Sequence, residues 1–190
     1  MKSVIVMLAE GFEEIEALTV VDVLRRASIN CDTCSLGTQY VKGSHNIEVK
    51  ADKLIDNINF DSYAAIILPG GMPGSVNLKD DKRVIEAICD YNKKNKIIGA
   101  ICAAAIVLKE ADIIHGKKIT SYPGVKEQLL GCDYSENIVE VHDNIITSRG
   151  PATSIYFALK LVELFEEAQM ADSLKQGMLV NFVEESYRKL

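Results

Sequence analysis

The chain has 190 residues, 48% of them hydrophobic and 25% charged, with a formal net charge of −6. That balance is ordinary for a globular protein and excludes a disordered or fibrous chain. The acidic surplus also argues against nucleic acid or an anionic membrane as the main partner. At this length a single domain over residues 1–190 is expected, since domains run to about 100–200 residues. The longest strongly apolar run, residues 97–108, is shorter than the ~20 residues a membrane span needs. The first apolar stretch passes straight into Glu10, Glu13, Glu14 and Glu16, unlike a signal peptide. A soluble, cytoplasmic protein is therefore expected. The five cysteines lack the spacing of a disulfide framework, which fits a reducing compartment.

Short apolar runs alternate with longer amphipathic ones. Residues 4–9 form a continuous apolar run and predict a buried strand. Residues 13–27 predict a helix, acidic at its start and ending near Arg25 and Arg26, as the helix dipole prefers. A second strand is expected over 30–36, and an edge strand or hairpin over 41–51. A third buried strand over 63–68 runs into Pro69, Gly70 and Gly71. A helix follows over 81–92, then a strand over 96–101 that leads directly into a helix over 103–111. Residues 138–141 and 145–148 flank His142-Asp143-Asn144 as a hairpin. Pro151 opens a helix over 152–167, where a first-turn proline is tolerated. The tail, 169–190, reads as helical. Strand–helix alternation predicts an α/β sandwich with a mostly parallel sheet. Ligands of such sheets bind at the carboxyl ends of strands. Three strand ends follow from that rule: residues 10–16, residues 69–73 and Cys102.

Cys102 stands where a strand meets a helix, with alanines two residues before and two after it. A nucleophile elbow needs small residues at those offsets, because the turn is sharp and bulk would clash. A helix N-terminus also favours a thiolate. The plain alternative is a small buried cysteine in an alanine-rich turn. In the glutamate-rich turn, Glu16 falls on the apolar arc of the predicted helix with Val20, Val23 and Ala27. Glu13 falls on that arc too, near Leu24, and Glu14 lies on its outer edge. A carboxyl on the apolar face is desolvated and keeps its proton more tightly. Periodicity does not choose between Glu13 and Glu16.

The stretch Leu68-Pro-Gly-Gly71 can point backbone N–H groups into a site, as oxyanion holes do. It has no Gly-Lys-Ser/Thr and is not a phosphate loop. His45, His115 and His142 lie in predicted loops or edges, so no histidine partner for Cys102 is evident. Cys31 and Cys34 have C-x-x-C spacing but sit in a predicted strand, where i and i+3 face opposite sides. Cys89 and Cys132 read as structural.

Five segments in this order carry a resemblance: Ala9-Glu-Gly-Phe-Glu-Glu-Ile-Glu-Ala17, Val21-Asp-Val-Leu-Arg-Arg-Ala27, Leu68-Pro-Gly-Gly71, Ala100-Ile-Cys-Ala-Ala104 and Thr147-Ser-Arg-Gly-Pro151. Together they resemble the ThiJ/PfpI superfamily, in the branch of the Parkinson-disease-associated deglycase and YajL. The resemblance implies a flavodoxin-like three-layer α/β sandwich and a homodimer. It implies that Cys102 is a low-pKa nucleophile and that Glu16, rather than Glu13, is the protonated carboxyl bonded to it. Gly71 and Ala103, with Gly70 beside them, would supply the oxyanion site, and Arg26 would lie near it. Some members carry a histidine where this chain has Tyr122, and relatives carry an arginine where it has His45. Proton transfers would then fall to Glu16. The activity implied is conversion of methylglyoxal to lactate without glutathione, deglycation of early glyoxal adducts, or both, with no cofactor or metal. The alternative is a redox-sensing stress protein or chaperone whose Cys102 is oxidised to sulfinic acid.

Overall fold

In a computed structural model, the described residues are 3–166 and 168–187. Glu167, expected to end a helix, and the last three residues of the predicted tail lie outside them. The chain begins with β1 (Ser3–Leu8), α1 (Glu14–Arg26) and β2 (Asn30–Ser35). A small hairpin, β3 (Tyr40–Lys42) and β4 (Glu48–Lys50), precedes the short β5 (Lys53–Leu54). Next come β6 (Ala65–Leu68), α2 (Gly74–Asp80), α3 (Lys82–Lys93), β7 (Ile97–Ile101) and α4 (Ala105–Glu110). After β8 (Lys118–Ile119) and β9 (Asp133–Tyr134) follow β10 (Val139–His142), β11 (Ile145–Ser148), α5 (Ser154–Phe165), α6 (Ala168–Gly177) and α7 (Val180–Tyr187).

Seven strands form one sheet in the order β10-β11-β7-β6-β1-β2-β5. Every pairing in it is parallel except β10 with β11. The run β2-β1-β6-β7-β11 is the doubly wound, flavodoxin-like order. Its middle strands are covered on both faces, which is why β1 and β6 read as unbroken apolar runs rather than alternating ones. Helix α1 packs beside α5 on one face, and α2, α3 and α4 pack together on the other. The expected three-layer sandwich is the one observed.

Three local features refine the expected elements. Residues 74–80 form α2, a helix the sequence pattern does not predict, since no cap or period marks so short an element. The helix after Cys102 starts as a 3-10 turn, Cys102–Ala104, before α4. The segment 41–51 is a hairpin outside the main sheet, and it docks on the start of α1. Its Gly43 leaves room for the Glu14 side chain: a Cβ there would lie 2.3 Å from Glu14 Oε1.

That docking buries Glu14, which the helical wheel placed only at the arc's edge. Glu14 Oε1 accepts from the His45 N–H at 2.7 Å, and Oε2 pairs with His45 Nδ1 at 2.8 Å. Burial pushes the Glu14 carboxyl up. The His45 side chain and the N–H groups of Glu14, His45 and Ile47 outweigh it and hold the carboxyl at about 2, against its ordinary 4.5. A carboxyl lowered on folding stabilises the native state above its unfolded value and loses that contribution as pH falls through its folded value. Wild-type urea midpoints should therefore drop between pH 4.5 and pH 2. Glu14→Gln should be less stable at neutral pH and flatter across that window.

Candidate active site

The loops after β1, β6 and β7 meet where the strand order reverses, the crevice where doubly wound sheets hold ligands. Cys102 follows the last residue of β7. Its φ is +62°, a left-handed conformation that costs a side-chain-bearing residue of order 1–3 kcal/mol. Two features hold it there. The Tyr122 N–H donates to the Cys102 carbonyl at 3.2 Å, and Ala103, Ala104 and Ala105 pack without bulk behind the turn. The result is an elbow whose cysteine is only 9% exposed. The Ala103 N–H donates to its sulfur.

The turn after β1 brings Glu16 to this thiol. Glu16 is fully buried, on the inner face of α1 with Ala17 and Val20. Its Oε2 accepts from the Gly70 N–H at 2.7 Å. Its Oε1 is buried with no N–H or O–H donor among the described residues. The carboxyl and the Cys102 thiol are electrostatically coupled. Burial raises the Glu16 carboxyl to about 7; the bonds from Cys102 and Gly70 oppose this, and the Glu13 charge adds to it. Burial likewise pushes the Cys102 thiol up, and ionised Glu16 pushes it further.

The helix dipole therefore does not make a thiolate by itself, as the sequence suggested. The helix behind Cys102 is one 3-10 turn and a six-residue α4, and burial outweighs its dipole. The thiol and carboxyl are instead coupled: ionised Glu16 opposes loss of the Cys102 proton, and the thiol eases ionisation of Glu16. A thiolate at Cys102 requires that Glu16 hold its proton, since the ionised carboxylate raises the thiol. The orphaned Oε1 and the Ala103 N–H both favour that arrangement.

Gly70 is the contact on which the pair depends. A Cβ at Gly70 would sit 2.6 Å from Glu16 Oε2 and 2.7 Å from Cys102 Cβ. Gly71 has a φ of +91°, and a Cβ there would meet the Glu13 nitrogen at 2.4 Å. The Glu13 N–H donates to the Gly70 carbonyl at 2.9 Å, tying the β1 and β6 turns together. The Gly71 N–H has no backbone partner among the described residues.

The predicted site residues divide in two. Cys102, Glu16, Gly70, Gly71, Ala103 and Tyr122 lie at the elbow or on the turns that meet it. Arg26 does not: it is ten residues beyond Glu16, about 15 Å along the helix. There its Nε donates to Asp22 Oδ2 at 2.7 Å, at the exposed far end of α1. His45 faces Glu13 and Glu14 from the hairpin. Gly150, quoted only as part of a motif, closes one side of the site. A Cβ on it would lie 3.9 Å from Cys102 Sγ and 3.8 Å from the Tyr122 ring. No chemistry-bearing side chain marked it in the sequence.

Cys31 and Cys34 are both buried free thiols of β2, each pushed up to about 12 by burial. The Glu13, Glu14 and His45 donor atoms cluster, but the Glu14 oxygens already accept hydrogen bonds, so no cation site is read from them. A cleft of 330 Å³ beside α5 and α6 holds two lysines that already pair, Lys160 with Glu163 and Lys175 with Glu184.

Fold and site together define an α/β sandwich protein with an elbow cysteine coupled to a buried carboxyl. The model of the DJ-1/PfpI family matches residues 2–164, and the chain belongs to that family. Drosophila melanogaster DJ-1beta is 36% identical over 184 residues, a match covering 95% of this chain and 98% of that protein. Its crystal structure has a TM-score of 0.91 at 35% identity, covering 94% of this chain and 97% of that one. A Caenorhabditis elegans protein named glutathione-independent glyoxalase DJR-1.2 is 32% identical over 176 residues, covering 91% of this chain and 94% of that protein. Protein DJ-1 homolog B of Arabidopsis thaliana is 36% identical over 179 residues, but the match, 93% of this chain, spans only 41% of that longer protein.

A methyl group at Gly70 cannot fit without parting Glu16 from Cys102. Gly70→Ala should slow alkylation of Cys102 by iodoacetamide at neutral pH at least about tenfold, since a misplacement near 1 Å can cost two orders of magnitude. Circular dichroism should stay that of the wild type.

Proposed function

We propose that this chain is a glutathione-independent glyoxalase that converts methylglyoxal to lactate, and that early glyoxal adducts enter by the same chemistry. The observation that carries this reading is the Cys102–Glu16 pair, a thiol at a buried elbow beside a buried carboxyl that burial raises to about 7. The low exposure of Cys102 and the small residues around it favour a small aldehyde. The name of the Caenorhabditis elegans relative is consistent with it.

In this reading the Cys102 thiolate attacks the aldehyde carbon. The new oxyanion faces the Gly71 and Ala103 N–H groups and takes the Glu16 proton, giving a hemithioacetal. Glu16, now ionised, removes the hydrogen on that carbon, and the electron pair forms an enediol with the neighbouring carbonyl carbon. Reprotonation of the second carbon gives the lactoyl thioester. Water cleaves it, releasing lactate and restoring the pair.

A second reading rests on the same thiolate. Peroxide would oxidise Cys102 to sulfenic and then sulfinic acid, each step reducing one peroxide to water. A solved structure of Toxoplasma gondii DJ-1 in an oxidized form shares 35% identity with this chain. The Glu16 and Ala103 donors could hold such a sulfinate. We further propose a homodimer, supported by Ile15 and Leu18, which α1 exposes at 56% and 37%.

Lactate formed from methylglyoxal without glutathione decides between the readings. Cys102→Ser and Glu16→Gln should each lower turnover at least about 100-fold, the scale of one lost general acid–base group, with the fold intact. Equal lactate from wild type and Cys102→Ser would reject the glyoxalase. Absent turnover with Cys102 the fastest thiol to react with peroxide would favour the redox reading.

A further inference from the structure

The hairpin that docks on α1 brings a titratable side chain to the edge of the reactive pair. His45 Nδ1 lies 2.8 Å from Glu14 Oε2 and 3.6 Å from Glu13 Oε2. Ser44 Oγ bridges the three groups, 3.2 Å from Glu13 Oε2, 3.3 Å from Glu14 Oε2 and 3.1 Å from His45 Nδ1. Glu13 in turn acts on both members of the pair: its negative charge raises Glu16 and raises Cys102. The His45 side chain is 68% exposed, whereas Glu13 is 11% and Glu14 5% exposed. An ionisable group in solvent is thus linked through one buried carboxylate to a buried nucleophile.

We propose that His45 tunes the reactive pair: its imidazolium offsets the Glu13 carboxylate, and the balance of those two charges sets how readily Cys102 becomes a thiolate. This rests on the reading of Cys102 and Glu16 as the reactive pair. His45 touches neither reacting atom and is a positioning residue that acts through Glu13. The charges acting on it are Glu14, hydrogen-bonded to its ring, and Glu13, both of which favour its protonated form. Glu14 is committed to the hairpin N–H groups as well, so Glu13 is the carboxylate whose charge the pair feels. Histidine loses its charge within the physiological range. As pH rises through the His45 value, Glu13 is left uncompensated and opposes loss of the proton shared by Cys102 and Glu16.

The experiment is the pH profile of Cys102 alkylation by iodoacetamide in the full chain, followed by peptide mass spectrometry. It compares wild type, His45→Gln, His45→Arg and Glu13→Gln. His45→Gln should raise the midpoint by about half a pH unit, slowing alkylation below it about threefold. His45→Arg should keep the midpoint at or below the wild-type one, and Glu13→Gln should lower it. Added salt should shrink the His45→Gln effect, since that side chain is exposed. Equal midpoints in wild type, His45→Gln and His45→Arg, with Cys102 still the fastest thiol, would overturn the tuning and leave the reactive pair standing. A Cys102 no faster than the other four thiols would overturn the pair itself and the tuning with it.

Discussion

The approach of two buried titratable groups, Cys102 and Glu16, organises this site. Neither group is suited to its role alone: a buried thiol holds its proton too tightly, and a buried carboxylate with an orphaned oxygen is costly. In the proposed reaction the carboxyl takes the proton the thiol would otherwise keep, and the sulfur accepts the hydrogen bond the acid has to give. Burial raises both groups and so sets the proton balance between them.

The fold serves that contact with three chain turns from three strands. The end of β7 supplies the strained elbow, the turn after β1 supplies Glu16, and the end of β6 supplies Gly70 between them. The left-handed Cys102 is held by its neighbours, as strain at functional sites has to be. Tyr122 pins its carbonyl, and alanines fill the space behind. The cost of the elbow is spread over a well-packed α/β core.

The hairpin is the part of the architecture least explained by the core. It adds no strand to the seven-stranded sheet, yet Glu14 fixes it to α1 through backbone and side-chain bonds. Its tip places Ser44 and His45 against Glu13, so the surface of the molecule and its reactive centre share one patch of charge.

Much of this was legible in the residues. Unbroken apolar runs marked the buried strands, because a parallel strand covered on both faces has no polar side to show. Small residues flanking Cys102 marked a tight turn, since bulk there clashes whatever the fold. The ThiJ/PfpI resemblance rests on ordered motifs of the same kind. The helical wheel left Glu13 and Glu16 open, because period reports which face a residue takes and not what covers it. Packing decided that: the β6 turn covers Glu16, and the hairpin covers Glu14. Arg26 shows the limit from the other side, since sharing a helix with Glu16 put it some 15 Å along the axis. The roles of Gly70 and Gly150 were equally hidden, as a missing side chain matters only through its neighbours. By itself the sequence determined the strand order's raw material, the elbow and the choice of chemical groups, because propensity and sterics act locally. Which carboxyl meets the thiol, and how their protons are shared, only the tertiary structure decided, because desolvation and charge coupling depend on distances between distant segments.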